Sequence, residues 1–352
     1  MSKYFEIDGI KIGEHEKCFI IAEMSSNHLQ DFDRAVEIIK KAKWAGADAI
    51  KIQTYTPDTI TLDCDNEYFQ IKQKDIFKEE TLHKLYQKSY TPWEWNIKLK
   101  EIAEKEGLVF FSTPFDCSSV DFLEEIGVQA YNISSFEMTD IPFIKYVASK
   151  GKPIMIATGI ARLKDIQEAL QACYSEGNKD ITLLKCTSAS PAPVEDINLN
   201  TMKNMGINFG TTIGLSDHTS GNDIAIAATA MGAKIIEKHL TLKRDDGGKD
   251  SRFSMEPHEF KEMVTSIRRV EKALGRVSYD LTARQKKSKN HSRSLFVVKD
   301  VKKGEIFTNN NVRSIRPGYG LETKYIEDIL GKKSIKDIQK GTPMDWSFIE
   351  KK

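Results

Sequence analysis

The chain has 352 residues, with 52 lysines and arginines against 51 aspartates and glutamates, and a formal net charge of +1 at pH 7. A composition of 40% hydrophobic and 29% charged residues excludes a disordered chain, and the length favours one large domain with a small companion. The near-zero charge gives no reason to expect nucleic acid as a partner, and no apolar run approaches the roughly 18 residues of a membrane span, so no membrane association is expected.

Short β-branched segments alternate with longer amphipathic segments over most of the chain. The predicted strands are 18–23, 48–53, 108–113, 129–134, 153–159, 181–186, 210–218 and 233–239. Predicted helices, whose apolar residues recur with a period near 3.6, are 32–44, 93–105, 120–126, 163–174, 222–231 and 257–274. Eight strand–helix units over about 250 residues predict an α/β protein with a (β/α)8 TIM barrel. An open doubly wound parallel sheet is the alternative, although no GxGxxG motif follows a strand.

The character of the sequence changes after Gly275. Residues 283–293 are polar and basic, have no apolar period, and are interpreted as a linker. Short strand-like runs and turns follow. We therefore predict a catalytic barrel domain over 1–282 and a small β-rich domain over 294–352.

The cysteines and the amino terminus bear on the compartment. The chain contains 5 cysteines, which are scattered, and no CxxC motif, so neither a disulfide framework nor a thiolate zinc site is expected. The first residues contain no apolar signal region. Together these features favour the reducing cytoplasm.

Polar side chains cluster at the ends of seven predicted strands, which is where a TIM barrel places its chemistry. A single serine or threonine there is often only a helix cap, but seven converging ends indicate an active site. The residues concerned include Glu23, Asn27, Lys51, Gln53, Thr113, Ser135, Glu137, Ser188, Ser216, His218, Glu237 and His239.

Two histidines are the best candidates for metal ligands. His218 and His239 are 21 residues apart, about one strand–helix unit, so they are expected at neighbouring strand ends with Glu23 beside them. Two imidazoles with oxygen ligands suit Mn²⁺ and other divalent ions, which can polarise a carbonyl group. A single histidine is more often structural, and no compact HxxxH motif supports the pair.

Two lysines and one aspartate are further candidates. Lys51 lies in an otherwise apolar strand, where it could form a structural ion pair, bind an anion or form a Schiff base. Lys185, near the end of the sixth strand, is the rival candidate for a Schiff base. Asp250 lies in the charged, glycine-containing segment that follows the last strand, and we expect it to contact the substrate or a metal-bound water.

Seven motifs make the chain recognisable: IAEMSSNH, GADAIKIQTY, FFSTPFD, NISSFE, IGLSDHT, KIIEKHLTL and RPGYGL. Together they resemble the sialic acid synthase family, whose members condense phosphoenolpyruvate with an N-acetylated amino sugar. The segments YTPWEW, NISSFE, KCTSASPAPVED and GGKDSRFSMEP are most similar to the branch of that family that makes pseudaminic acid. The resemblance covers essentially the whole chain.

The resemblance implies an architecture and a set of roles. It implies a barrel followed by an antifreeze-like (SAF) domain, in a domain-swapped homodimer whose SAF domain covers the partner's active site. His218 and His239 would bind a divalent metal (Mn²⁺, Mg²⁺ or Co²⁺). Catalytic roles would fall to Glu23, Glu137 and Asp250. Phosphoenolpyruvate would contact Lys51, Thr113, Ser135, Ser188 and Ser216, with Asn27, Gln53 and Asn132 as further substrate-binding candidates, and Arg316 would reach the neighbouring subunit's site.

One departure concerns the phosphoenolpyruvate site. The family usually has a lysine where this chain has Asn132, so the ligand would lose a charge-assisted contact of about 1.5–3 kcal/mol. We expect Lys185 to supply the missing charge if its side chain points inward.

The activity that the resemblance implies joins phosphoenolpyruvate to 2,4-diacetamido-2,4,6-trideoxy-L-altrose, giving a nine-carbon 2-keto acid and releasing phosphate by C–O cleavage. Synthesis of N-acetylneuraminate or legionaminate is the alternative within the family. A Schiff-base aldolase that uses Lys185 or Lys51 is a second kind of enzyme. A non-catalytic protein that binds sugar or phosphate is a third possibility, supported only by Asn132.

Overall fold

The computed structural model describes residues 4–71 and 80–350, and the chain divides into two compact units, Met1–Gly275 and Arg276–Lys352. The first unit begins with an antiparallel hairpin of β1 (Tyr4–Ile7) and β2 (Ile10–Gly13), which the sequence did not predict. Phe5, Ile7 and Ile12 of this hairpin belong to the same buried cluster as apolar side chains of the barrel strands. In the described part of the chain, every helix is too short or too polar to cross a membrane.

Eight parallel strands close into a barrel in the order β10-β3-β4-β5-β6-β7-β8-β9. The strands are β3 (Phe19–Glu23), β4 (Ala49–Thr54), β5 (Val109–Pro114), β6 (Tyr131–Ile133), β7 (Ile154–Ala157), β8 (Ile181–Cys186), β9 (Thr212–Asp217) and β10 (Ile235–His239). All eight predicted strands are present, with ends shifted by a few residues. Because β10 pairs with β3, the predicted TIM barrel is confirmed and the open sheet is excluded.

The barrel interior changes from apolar to polar along the strands. Its apolar part contains Phe19, Ile21, Ala49, Val109, Phe111, Ala130, Met155, Leu184 and Ile235. Side chains alternate between the two faces of a strand, so inward-facing Phe19 and Ile21 are followed by inward-facing Glu23. The same alternation turns the polar residues near the carboxyl ends of other strands into the interior.

Helices surround the barrel in the first unit. They are α1 (Phe32–Ala45), α2 (Pro57–Ile60), α3 (Leu82–Ser89), α4 (Trp93–Lys105), α5 (Cys117–Glu125), α6 (Ile141–Ala148), α7 (Leu163–Ser175), α8 (Leu199–Phe209), α9 (Asp223–Ala230) and α10 (Pro257–Leu274). The six predicted helices are confirmed within a few residues. Helices α2, α3, α6 and α8 were not predicted from the sequence. α6 has only eight residues, which is about two turns and too short for its apolar period to stand out in the sequence.

The second unit contains α11 (Ala283–Ser288), β11 (Ser294–Val297), β12 (Val312–Ile315) and α12 (Ile326–Ile329), and β11 pairs with β12 antiparallel. Leu295, Val297, Phe307, Val312 and Ile329 are part of its own small core. The segment interpreted as a linker, 283–293, contains α11. Thr282 and Gln285 cap this helix reciprocally, and its fully exposed side chains explain why apolar periodicity did not reveal it.

Candidate active site

A cavity of about 400 Å³ opens at the carboxyl ends of the barrel strands. Thirteen of the residues that the sequence singled out line it together: Glu23, Lys51, Gln53, Thr113, Asn132, Ser135, Glu137, Ser188, Ser216, His218, Glu237, His239 and Asp250. These residues come from seven different strands or the segments that follow them. The barrel therefore assembles one site from side chains that are widely separated in sequence.

The predicted substrate ligand Asn27 does not line the cavity. Asn27 is fully buried, and its amide donates to the Leu240 carbonyl (3.0 Å) and to Ser254 Oγ (2.9 Å). It holds two segments of the first unit together and does not line the cavity, which corrects the expectation that it faces the substrate. Arg316 follows β12 in the second unit, where its side chain is exposed.

Lys185 also lies outside the cavity. In β8 the side chains of Leu184 and Cys186 face the interior, so Lys185 between them faces the surrounding helices. Its Nζ donates to the Cys186 carbonyl at 2.6 Å and to Thr187 Oγ1 at 3.3 Å. The expectation that Lys185 could supply an inward charge, or an amine for a Schiff base in this cavity, is therefore corrected.

The two histidines meet at one side of the cavity, with ring centroids 5.2 Å apart. Nδ1 of His218 lies 3.7 Å from Cys186 Sγ, which leaves Nε2 as the nitrogen available to a ligand. Nδ1 of His239 is buried and has no hydrogen-bond partner among the described residues. Burial, together with the charge of His218, lowers the pKa of His239 to about 3. His239 is thus a neutral imidazole at ordinary pH, the form that binds metals.

The donor set suits a cation that is held only partly by protein. Within residues 4–71 and 80–350, no group of three or more His, Cys, Asp or Glu side chains is placed to hold a metal ion by itself. Two imidazoles, one of them His239 with an unpartnered buried nitrogen, are nevertheless good ligands for a divalent ion. Such an ion would take its remaining ligands from water or substrate.

Lys51 lies between two buried carboxylates. Its Nζ is 2.8 Å from Glu237 Oε2 and 3.3 Å from Glu23 Oε2. Burial raises the pKa of Glu23 to about 7, and the charge of Glu237 adds to this effect while Lys51 opposes it. Burial alone would lower the pKa of Lys51, but the two carboxylates outweigh it and the pKa is raised. A permanent cation therefore lies beside a carboxyl group that exchanges its proton near neutral pH.

Hydroxyl and amide groups line the part of the cavity formed by β5 to β9. Thr113 Oγ1 donates to Asn132 Oδ1 (3.1 Å), and Asn132 Nδ2 is buried without a partner among the described residues. Gly159 lies between Ser135 and Ser188, where a Cβ atom would come within 2.1 Å of Ser188 Oγ. Only glycine leaves room for both hydroxyl groups, so the backbone here is shaped to present donors to a small polar ligand.

Two more carboxylates lie on the cavity wall. Asp250 Oδ2 accepts hydrogen bonds from Ser25 Oγ (2.6 Å) and Ser26 Oγ (3.0 Å), which ties the segment after β10 to the segment after β3. Glu137 accepts a hydrogen bond from Ser134, and burial raises the pKa of Glu137. Glu137 and Glu23 are both carboxyl groups with raised pKa, which suits proton transfer.

The comparison with known proteins identifies the family. Residues 38–279 match the NeuB family, and residues 292–350 match the SAF domain. The chain belongs to the NeuB family. This confirms the resemblance to the sialic acid synthases and the order of a barrel followed by an SAF domain.

Individual members of this family are similar over nearly the whole chain. The pseudaminic acid synthase of Campylobacter jejuni is 43% identical over 93% of this chain and 95% of its own length. The pseudaminic acid synthase of Helicobacter pylori is 42% identical over 94% of this chain and 98% of its own length. The crystal structure of N-acetylneuraminic acid (sialic acid) synthetase from Leptospira borgpetersenii serovar Hardjo-bovis, in complex with citrate, has a TM-score of 0.72 and 31% identity, covering 82% of this chain and 95% of that one.

Some cavity residues were not assigned a role from the sequence. Glu237 could have been, because it precedes His239 by two residues and so faces the same side of β10. Cys186 could also have been assigned to the site, because it is the last residue of β8. Five aromatic side chains, Tyr55, Tyr86, Phe115, Phe136 and Phe253, also line the cavity. Nothing in the sequence distinguishes these aromatic residues from core residues.

Proposed function

We propose that this NeuB-family enzyme is a pseudaminic acid synthase. It joins phosphoenolpyruvate to 2,4-diacetamido-2,4,6-trideoxy-L-altrose, forming a nine-carbon 2-keto acid and releasing phosphate. The main support is one observation: the imidazoles of His218 and His239 share a cavity with the buried ammonium group of Lys51. The similarity to two pseudaminic acid synthases over more than nine-tenths of the chain supports the choice of product.

Phosphoenolpyruvate binds at Lys51 and the hydroxyl groups beside it. Lys51 is a buried charged donor in the cavity, and the lining also contains the hydroxyl groups of Thr113, Ser135, Ser188 and Ser216. The unpartnered amide nitrogen of Asn132 is free to donate to the same ligand. Gln53 lines this part of the cavity as well. Together these groups replace the water that an anion loses on entering a buried site.

His218 and His239 hold a divalent cation, Mn²⁺, Mg²⁺ or Co²⁺. When bound, the cation supplies Lewis-acid polarisation of the sugar aldehyde. In neutral His239 one ring nitrogen carries a proton and the other has a free lone pair, which is what a metal ligand requires.

Proton transfer falls to the carboxyl groups. C3 of phosphoenolpyruvate bonds to the aldehyde carbon as the C2–C3 π bond is used, and the aldehyde oxygen takes up a proton to become a hydroxyl group. Water then adds at C2 and loses a proton, and the resulting tetrahedral adduct collapses to the 2-keto group as its C–O bond to phosphate breaks. A base must accept a proton from the attacking water. Glu23, whose pKa is raised to about 7, is poised for this exchange, and Glu137 is the second candidate. Asp250, held by two serines, orients the acceptor sugar.

The aldolase alternative is disfavoured by the environment of Lys51. A Schiff-base lysine must lose its proton, yet Lys51 is paired with two carboxylates that raise its pKa. Lys185 faces away from the cavity. Borohydride treatment in the presence of a keto acid should therefore give no covalent adduct by mass spectrometry, and a trapped adduct on Lys51 would revive the alternative.

We further propose a domain-swapped homodimer in which Arg316 completes the partner's cavity. Its planar guanidinium suits an amide carbonyl or carboxylate of the substrate. Mixing Arg316→Ala and His218→Ala chains, each inactive alone, should restore up to about a quarter of the activity after subunit exchange, because one of the two sites in a heterodimer would be intact. Absence of complementation, with exchange verified by mass, would contradict this arrangement.

We also propose that the protein acts in the cytoplasm. The free state of all five cysteines supports this compartment.

The activity is tested with phosphoenolpyruvate, Mn²⁺ and a panel of amino sugars. Phosphate release and the mass of the product are measured together. The proposal requires the altrose derivative to give the highest kcat/KM. A preference for N-acetylmannosamine, or for the precursor of legionaminic acid, would reassign the product, and binding heat without phosphate release would indicate a non-catalytic binding protein.

A further inference from the structure

A completely buried ion pair lies directly behind the two histidines. Asp217 and Lys238 are direct cross-strand partners in β9 and β10, and each immediately precedes one histidine of the pair. Lys238 Nζ is 2.7 Å from Asp217 Oδ2, and both side chains have 0% exposure. Neither residue lines the cavity, because alternation along the strands turns them away from it.

The pair also controls the chain just beyond His218. Asp217 Oδ1 accepts hydrogen bonds from the Thr219 backbone N–H (2.9 Å) and from Thr219 Oγ1 (2.7 Å). Lys238 Nζ donates to the Thr219 carbonyl at 2.8 Å. The residues on both sides of His218 are thus fixed to the residue that precedes His239. One network holds the backbone on which both imidazoles are mounted.

Stability alone does not explain such a pair. Desolvating two charges costs several kcal/mol per ion by order of magnitude, so replacing a buried ion pair with apolar residues of similar volume is often neutral or stabilising (about 1–4 kcal/mol). The charged pair instead fixes the register of β9 and β10, since the Asp217–Lys238 ion pair forms only when the ends of the two strands are correctly aligned. This strand end is also where the imidazole pair needs alignment.

We propose that Asp217 and Lys238 are positioning residues that set the separation and orientation of the His218 and His239 rings, and thereby the affinity of the site for a divalent cation. This inference rests on the proposed metal site. The ion pair acts behind the ligands and contacts neither substrate nor cation. Outer-shell groups of this kind typically change metal affinity by about 10–100-fold when they are removed.

The main test is the double substitution Asp217→Leu/Lys238→Met, which removes both charges and leaves no buried ion unpaired. We expect a folded protein whose Kd for Mn²⁺, measured by calorimetry, rises about tenfold or more. Unchanged Mn²⁺ affinity in the folded double variant would overturn the proposal. Thr219→Val, which removes one hydroxyl donor and keeps the shape, gives a milder test. It should weaken Mn²⁺ binding about threefold, and no change would again count against the proposal.

A matched control exists at the opposite end of the barrel. Asp48 pairs with Arg268 at 2.7 Å, and Asp48 also accepts a hydrogen bond from the backbone N–H of Ile20. Asp48 precedes β4, so this pair lies at the amino ends of the strands, away from the cavity. Asp48→Leu/Arg268→Met should change the melting temperature without changing the Kd for Mn²⁺.

A metal-independent measurement separates this inference from the proposed metal site. Imidazole ¹⁵N resonances of the metal-free protein report ring environment and tautomer. In the double variant the signals of His218 and His239 should shift, whereas those of His83 and His258 should stay in place. If the unaltered protein binds no Mn²⁺, the proposed metal site fails, and these spectra still decide the positioning role: unshifted His218 and His239 signals would refute it.

Discussion

Lys51 Nζ lies 2.8 Å from Glu237 Oε2 inside a barrel whose lower layers are apolar, and Glu23 approaches the same ammonium group at 3.3 Å. Two carboxylates therefore share one cation. The cation keeps the two negative charges from repelling each other, and the carboxylates keep the lysine protonated. An anionic substrate that binds to Lys51 must therefore share the ammonium group with Glu23 and Glu237.

Replacing Lys51 by methionine removes the cation and leaves two buried carboxylates unpaired. We expect the free energy of unfolding at neutral pH to fall by about 3–5 kcal/mol and phosphoenolpyruvate binding to be lost. Urea unfolding and calorimetry with phosphoenolpyruvate measure the two effects. Lys185→Met is the control, since its amine faces away from the cavity. Retained phosphoenolpyruvate binding in Lys51→Met would contradict the assignment.

The pH dependence of stability should contain a contribution from Glu23. The pKa of this carboxyl is raised from 4.5 to about 7 in the folded protein, so the folded state holds the proton more tightly than the unfolded state does. The resulting stabilisation is fully present below about pH 4.5 and is lost as the pH rises through 7. Glu23→Gln should remove this part of the slope.

Urea unfolding at several pH values between 4.5 and 8 tests the prediction. Glu101→Gln, at an exposed position of α4, is the control and should keep the slope of the unaltered protein. An identical slope in Glu23→Gln would show that Glu23 does not titrate in this range.

Asn132 allows a negative, a neutral and a positive side chain to be compared at one position of the cavity wall. Asn132→Asp keeps an oxygen for the hydrogen bond from Thr113 but places a negative charge beside the bound anion. We expect the KM for phosphoenolpyruvate to rise about tenfold or more in this variant and to fall about tenfold in Asn132→Lys, which gains a charge-assisted contact. Steady-state kinetics at saturating sugar measure both. Similar KM values for phosphoenolpyruvate in Asn132→Asp and Asn132→Lys would show that phosphoenolpyruvate does not bind beside Asn132.

Phe136 should contribute to sugar binding more than to folding. It lines the cavity although 68% of its surface is exposed, so its removal leaves no large void in the core. In Phe136→Ala we expect the KM for the sugar to rise about three- to tenfold while stability changes by no more than about 0.5 kcal/mol. Ile207→Ala, exposed on α8, is the control. An unaffected KM would remove Phe136 from the acceptor site.

The proposed metal site predicts that removal of the cation abolishes turnover. Treatment with EDTA, or His239→Ala, should lower kcat about 100-fold or more, and Mn²⁺ should restore only the chelated enzyme. His258→Ala is the control, because His258 packs against Trp44 outside the cavity (ring centroids 4.9 Å apart). Full activity in excess EDTA would exclude a role for a metal.

Much of the site was predictable because strand periodicity and the carboxyl ends of barrel strands follow simple rules. His218 and His239 stand at the ends of consecutive strands, so any parallel barrel brings them to the same end. Asn27 shows the limit of this reasoning. It belongs to the same polar segment as Glu23, yet its amide is used to join two buried segments, and only the packing around Leu240 and Ser254 shows this.

The sequence by itself determined the barrel, the polar ends of its strands and the histidine pair, because local periodicity of hydrophobic residues encodes which face of each element is buried. The tertiary structure alone decided which charges meet. It paired Lys51 with Glu23 and Glu237, turned Lys185 outward, and joined Asp217 to Lys238 behind the histidines. Such pairings depend on strand register and, for Lys51 with Glu237, on the closure of the barrel between β10 and β3.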